Sequence, residues 1–467
     1  MGAVLAVWAG AVSVAGEMPH ETDAQKLQKV YTLEESVQYG LSHNPGLQAA
    51  RFGVEAAEEE VRSVRGYLLP SLSSGYSHTL VSSIRSSGPT ETDYLDQNQD
   101  ILNVKLSQTL FAGFTLYNNL QKAKAARELA QAEKEVTALD LIIRIQTGFL
   151  ELLKARQDVL ILQDAIARLE VVHESVRAFY EQEMLPYSRV LEAEVDLADA
   201  RQQMSQARHA VENQRIALNG LLDLPLTSQV DYTGNLDALT FEWPQTLEQC
   251  LAAAMEGRPD LQAVQQNLMM AEKEAEIAKG RYYPKVSLSA AYNDSNRNYD
   301  DPGLYATGLT YDRDQHNQYW TVGLSMQWQM FDGGTQYYQK KKYEAEIMRF
   351  QQLFRETATN IKTRVRTSFM GMDEARQRID LTSRAVTAAR ENYRQEKRRF
   401  EVRVGTLPSL FDAQARLTRA ESNYNQALMD YQISLANLYY AMGERNFDLK
   451  TAMSSEQKKY NAQRCEE

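Results

Sequence analysis

Residues 320–330 read Trp-Thr-Val-Gly-Leu-Ser-Met-Gln-Trp-Gln-Met. Trp320, Val322, Leu324, Met326, Trp328 and Met330 alternate with Thr321, Gly323, Ser325, Gln327 and Gln329. Successive side chains of a strand point to opposite faces, so one face here is wholly apolar and the other small or polar. Leu102, Val104, Leu106 and Leu110 repeat the pattern against Asn103, Lys105, Ser107 and Thr109. Val286, Leu288, Ala290 and Tyr292 predict a third strand, and Leu72, Tyr76 and Leu80 a weaker fourth. Each is about the 9–11 residues a tilted membrane-crossing strand requires, with aromatic residues near the expected boundaries. A soluble half-buried sheet shows the same alternation. Two hairpins with long polar loops at 81–100 and 293–317, and opposite ends that run into helical text, favour the bilayer.

Working outward from these strands, the chain is written twice. Asn44-Pro45-Gly46-Leu47 recurs as Arg258-Pro259-Asp260-Leu261, and Leu69-Pro70-Ser71-Leu72 as Tyr283-Pro284-Lys285-Val286, both 214 positions later. Thr109-Leu110-Phe111-Ala112-Gly113 recurs as Gln329-Met330-Phe331-Asp332-Gly333, and Leu191-Glu192-Ala193 as Phe411-Asp412-Ala413, both 220 positions later. Ordered matches at nearly constant spacing imply an internal duplication. The first repeat is read as 31–222, with a hairpin at about 71–110 and a turn at about 183–188. The second is read as 246–443, with a hairpin at about 285–330 and a turn at about 403–408.

No proline falls between Gly113 and Met184 or between Gly333 and Leu407. Proline breaks a helix interior, so these gaps permit very long helices, and Ala, Leu, Glu, Gln, Lys and Arg fill them. Phe149, Leu152, Val159, Leu162, Ile166 and Leu169 form a sustained stripe on one face. A helix over 116–182 would extend roughly 100 Å. Shorter helices are expected to return over 188–218 and 409–441, and others to cover 32–67 and 246–280 ahead of the hairpins. Helices this long are stable only when packed laterally along their run.

Four strands cannot close a barrel, and an open edge in lipid leaves backbone groups unpaired at a cost of several kcal/mol each. The chain must therefore oligomerise. Three copies give twelve strands around a central opening, with the long helices assembling into a hollow cylinder.

The remaining composition narrows the function by exclusion. A net charge of -11 on 467 residues argues against nucleic acid. Phosphate-binding glycine loops and HExxH motifs are missing, and His20, His43, His78, His173, His209 and His316 have no ligand-like spacing, so neither enzyme activity nor a cofactor or metal is expected. Residues 1–16 are small and apolar, with Ser13-Val14-Ala15 fitting a cleavage site, and are read as an export signal or its remnant rather than a buried helix. Cys250 and Cys465 form no disulfide framework, and neither follows that segment as a lipid-anchor cysteine would.

The ordered set of repeats and junctions resembles the TolC-like outer-membrane efflux protein family over 31–445. Its carriers are the paired Asn-Pro-Gly-Leu and Arg-Pro-Asp-Leu segments and Leu69-Pro70-Ser71-Leu72. Gln108–Gly113, Gln329–Gly334, and Val404-Gly405-Thr406-Leu407-Pro408 followed by Leu410-Phe411-Asp412-Ala413-Gln414 complete the set. The resemblance implies a mixed α/β membrane protein: a homotrimer whose 12-stranded transmembrane β-barrel, four strands per protomer, continues into a long periplasmic α-helical barrel. An equatorial region would use 219–245, with 223–245 as linker, and the tail 444–467. It also implies location in the bacterial outer membrane, and partnership with a periplasmic adaptor protein and an inner-membrane transporter in drug efflux or type I protein secretion.

Carried across position by position, the resemblance makes Asp412 a candidate for an acidic ring at the periplasmic entrance, with Glu192 its repeat counterpart. A solvated helix-surface carboxylate is the plain alternative. Arg403 is a candidate for pairing across the entrance, although Leu407 stands where some relatives carry a basic residue. Leu185-Pro186 and Gly405-Thr406-Leu407-Pro408 are turn signals and the candidate adaptor-contact tips, with Gly405 free to take backbone angles other residues avoid. Trp320, Val322, Leu324, Met326, Trp328 and Met330 are the candidate lipid-facing set. The rival reading is a periplasm-spanning scaffold or adhesin, which would have no reason to expose that strand face.

Overall fold

The computed structural model describes residues 30–86, 92–228, 230–234, 246–299, 303–304, 310–311 and 314–445. The expected signal segment 1–16, most of the linker at 235–245 and the tail from 446 lie outside the described residues. The first series is β1 (Val30–Tyr31), α1 (Leu33–His43), α2 (Pro45–Gly66), β2 (Ser71–Ser86), β3 (Thr92–Ala112), α3 (Thr115–Glu181) and α4 (Tyr187–Leu221). After β4 (Asp231–Tyr232) the second follows: α5 (Leu247–Gly257), α6 (Pro259–Gly280), β5 (Lys285–Tyr299), β6 (Gly303–Leu304), β7 (Thr310–Tyr311), β8 (Gln315–Gln327), α7 (Thr335–Glu401) and α8 (Leu407–Met442).

Local chemistry explains the matching starts. Thr32 and Thr246 each open their series with a reciprocal capping box, to Glu35 and Gln249 respectively, satisfying two otherwise orphaned donors. The single helices expected over 32–67 and 246–280 are each two helices, broken at Asn44 and Arg258. The following prolines disfavour helical angles at the residue before them and lack the N–H an interior turn needs. Proline at the first helical position then suits α2 and α6. The Asn44 side chain accepts from Leu47 N and donates to the Leu221 carbonyl at 2.9 Å, fixing the break against the end of α4.

β2, β3, β5 and β8 form one antiparallel sheet in that order, leaving β2 and β8 as its edges. The strands run to 16, 21, 15 and 13 residues. Much of the text read as loop at 81–100 and 293–317 is therefore paired strand, as in Ser86↔Thr92 and Arg297↔Gln315. Beyond the apolar stretch the ladder continues on backbone bonds while the side chains turn polar, so periodicity gives no sign of it.

The two long helices are 67 residues each, about 100 Å at ~1.5 Å per residue. Near the sheet the helices lie side by side as α2, α3, α6, α7, and toward the far end as α4, α3, α8, α7. α3 is interior at both levels and α7 is at an edge at both. Eighteen residues of α3 are buried but only six of α7, although the two occupy equivalent places in the repeat. Two core clusters mark the middle. One gathers Tyr31, Val37, Ile145, Phe149, Leu152, Leu218 and Tyr232, the other Cys250, Val365, Met372, Leu428 and Tyr439. Ile145 and Leu152 correspond to Val365 and Met372 at the 220-residue offset.

Candidate functional site: the sheet face and the helical-hairpin tips

Strand register converts the alternation of single strands into faces. Residues directly opposite in antiparallel strands share a face, and the rows Ser74–Val104–Tyr292–Trp320 and Leu72–Leu106–Ala290–Val322 run across all four strands. With Leu288↔Leu324 and Val286↔Met326 they make one broad apolar face. The opposite face carries Ser71–Ser107–Ser289–Gly323, Ser73–Lys105–Ala291–Thr321 and Gly75–Asn103–Asn293–Tyr319, small and hydrophilic but for Tyr319. Asn103 donates to Asn293 on that face at 2.6 Å.

All six candidate lipid-facing residues are exposed in the single chain, from Trp328 at 49% to Met330 at 78%. Trp320, Val322, Leu324 and Met326 lie in β8, while Trp328 and Met330 follow its end. The ten steps from Trp320 to Met330 span about 33 Å along a strand, or about 23 Å of height at a ~45° tilt. That height is close to the apolar band of an outer-membrane barrel. The band has defined ends. Toward the helices, the Trp328 indole N–H donates to the Tyr282 carbonyl at 3.1 Å. At the other end, on the same face, His78 meets Asp100 and His316 meets Asp294, each at 2.8 Å.

At the opposite pole, Gln182–Pro186 joins α3 to α4 and Val402–Thr406 joins α7 to α8. The turns are copies of each other: Glu183 and Arg403 hold the left-handed conformation at φ 60° and 64°. The amides of Met184 and Val404 donate to Phe179 and Arg399 carbonyls at 2.9 Å. Gly405 itself has no positive φ, so its expected role needs correction. A Cβ there would lie 3.0 Å from Arg399 Cβ and 3.1 Å from Phe400 N, so glycine serves close approach instead. The Thr406 side chain caps α8.

Both hairpin ends share one cluster of Val172, Val176, Val190, Phe400, Leu407 and Leu410, with Leu185 packed against it. Leu407 is buried and secures the tip from inside, whereas Pro186, Thr406 and Pro408 face outward. Sequence reading missed four exposed apolar side chains beside them: Met184, Tyr187, Val402 and Val404. Their signal was an apolar residue on each side of a turn, outside any helical stripe.

Asp412 and Glu192 sit on the second turns of α8 and α4, and each is paired on its own helix. The Asp412 carboxylate lies 2.8 Å from Arg416, and that of Glu192 lies 2.7 Å from Arg189. The Arg403 guanidinium stands 5.5 Å from the centre of the Phe179 ring, which in turn meets Phe400 edge-on at 5.9 Å. Among the described residues of one protomer, no ion pair joins Asp412, Glu192 and Arg403 to one another. Glu192 continues along α4 into Asp196 and Asp199. Partial burial, then the Asp199 and Glu192 carboxylates, push the Asp196 pKa up. Among the described residues, no group of three or more His, Cys, Asp or Glu is placed to hold a metal ion, and no helix is long and apolar enough to cross a membrane.

Comparison with known proteins agrees with this layout. The profile of the family described as outer membrane efflux protein matches residues 37–223 and 250–444, one segment per repeat. The outer membrane protein TolC of Escherichia coli is 22% identical over 435 residues, covering 91% of this chain and 83% of TolC. Among solved structures, the outer-membrane channel OprN superposes with a TM-score of 0.76 at 20% identity, covering 88% of this chain and 90% of OprN. The CmeC outer membrane channel of Campylobacter jejuni gives 0.75 at 16% identity, covering 92% and 88% respectively.

Proposed function

The chain belongs to the outer membrane efflux protein family, and from that premise we propose that three copies close a 12-stranded barrel in the outer membrane and a helical tunnel below it. Substrates pass through this channel-tunnel to the cell exterior without chemical change. The observation that carries this reading is a four-stranded sheet open at both edges, with one face apolar from β2 to β8. In lipid both edges need a partner, and a threefold ring supplies one to every strand. Trp320, Val322, Leu324, Met326, Trp328 and Met330 then meet lipid, and the serine- and asparagine-rich face lines the opening.

The helical pole is the periplasmic entrance. Threefold symmetry places Asp412 in a ring of three carboxylates, which favours cations. Arg416, 2.8 Å away, offsets much of that charge, so the ring's selectivity depends on the pair rather than on the acid alone. Glu192 with Arg189 forms the second such ring, and Arg403 lies at the turn between α7 and α8. The turns offer Pro186, Gly405, Thr406 and Pro408 flanked by Met184 and Val404, a partly apolar surface suited to a periplasmic adaptor. That adaptor would join the tunnel to an inner-membrane transporter, in type I protein secretion or drug efflux. Segment 1–16 is read as an export signal or its remnant, and 223–245 as a linker of the equatorial region.

Single-channel recording in a planar bilayer tests the reading. The purified protein is expected to conduct, with cation preference reduced in Asp412→Ala because Arg416 loses its counter-charge. Trimers that never conduct, in wild type or in Asp412→Ala, would instead support a scaffold or adhesin.

A further inference from the structure

Resting on the channel reading above, we propose that the middle of the tunnel wall holds a binding site for a small oxyanion, a molecule carrying carboxylate or phosphate groups. The site is a cavity of about 430 Å³ between α3 and α7, with the end of α8 between them. Asp140 and Arg144 of α3, Arg364 and Ser368 of α7, and Asn437 and Tyr440 of α8 line it.

Its position follows from the repeat. Arg144-x-x-Thr147-x-Phe149 recurs as Arg364-x-x-Thr367-x-Phe369, 220 positions later. Each arginine stands 29 residues past the start of its long helix, about 44 Å along it at ~1.5 Å per residue. The next residue of each helix, Ile145 or Val365, is buried in a middle core cluster. In those clusters Tyr31, Val37 and Tyr232, from β1, α1 and β4, and Cys250 and Ala254 of α5 cover one face of the helical layer. Among the described residues, none that lines the cavity belongs to β1, α1, β4 or α5, so the cavity opens on the bare face. In a closed tunnel the covering elements must lie outside, since inside they would fill the bore. The bare face, with both arginines, then looks into the lumen.

The donor set decides the ligand. Arg144, Arg364, Ser368 and Asn437 bring N–H or O–H donors, and a guanidinium fork matches a carboxylate or phosphate with two parallel bonds. Further along the same two helices, Lys154 meets Asp158 at 2.7 Å and Arg378 meets Asp430 at 2.8 Å. Among the described residues, no ion pair engages Arg144 or Arg364, and both are exposed. The one carboxylate in the cavity, Asp140, already accepts the Tyr440 hydroxyl at 2.6 Å. Two guanidinium charges therefore face one carboxylate, which leaves the site net positive. Tyr440 also steadies Arg364, whose guanidinium stands 5.4 Å from the ring centre. Buried Arg258 holds that tyrosine in turn, 5.0 Å from the ring centre and donating to the Tyr440 carbonyl at 2.5 Å. The counterparts of Asn437 and Tyr440 in the first half are Ala217 and Gly220, so the site is built once per protomer. Three copies give the tunnel a cationic waist between its acidic entrance and the barrel.

The test is isothermal titration calorimetry of the purified full chain in detergent with citrate and, separately, tripolyphosphate, paired with single-channel recording in the presence of each. Both probes are expected to bind at one site per protomer and to interrupt the current reversibly. Arg144→Gln with Arg364→Gln is expected to weaken binding by roughly tenfold or more and to weaken the block in parallel. It is expected to keep the helical circular-dichroism spectrum, because both side chains are exposed. Arg384→Gln, which loses only a pair with Asp380, is expected to bind as wild type does. No binding of either probe, or equal affinity in the double variant, would overturn the site. Arginine-dependent binding to a protein that never conducts would keep the site and overturn the channel reading instead.

Discussion

Asp196 illustrates how a single side chain reports its surroundings. Partial burial, then Asp199 and Glu192, hold its pKa above the ordinary carboxylate value. An acid shifted this way favours the folded state most when protonated, and that advantage fades as pH rises through the folded-state value. Asp196→Asn should therefore raise the melting midpoint at pH 7. The gain should vanish below about pH 3, where the side chain is protonated whether the chain is folded or not. Melting curves at the two pH values check this; an equal gain at both would implicate packing instead. At this scale the sequence was only partly legible. The prolines and glycines marked the turns, yet the left-handed positions fell on Glu183 and Arg403, which carry no glycine to announce them. The ion pairs of Asp412 and Glu192 lie at i+4 and i−3 spacing, and a helix surface rich in both charges offers many such partners.

Elements were clearer, because long periodic text is hard to misread. The duplication, the proline-free spans and the alternating strands located the long helices and the sheet. The break ahead of each hairpin was visible in Pro45 and Pro259, although the apolar pattern on either side reads as one helix. The asymmetry between α3 and α7 was not legible, since equivalent helices of equal length differ in burial only through their neighbours. It has a measurable consequence. Leu152 on α3 is wholly buried, whereas Leu381 on α7 is 66% exposed. Leu152→Ala should cost about 2–5 kcal/mol, and Leu381→Ala, in the unassembled protomer, within about 0.5 kcal/mol. Denaturant unfolding followed by circular dichroism separates them; similar losses would mean that α7 is interior even in one chain.

For the molecule as a whole, the governing fact is a sheet with an apolar face and two bare edges. Lipid satisfies the apolar face, but the bare edges are unstable there, and neighbours of the same kind resolve them. Amide hydrogen exchange of the protein reconstituted in lipid bilayers tests this most directly, strand by strand. If neighbouring subunits pair β2 with β8, their outward amides should exchange as slowly as those of β3 and β5, which are paired on both sides within the chain. Rapid exchange confined to β2 and β8, beside protected inner strands, would mean that the edges stay open and would contradict the account.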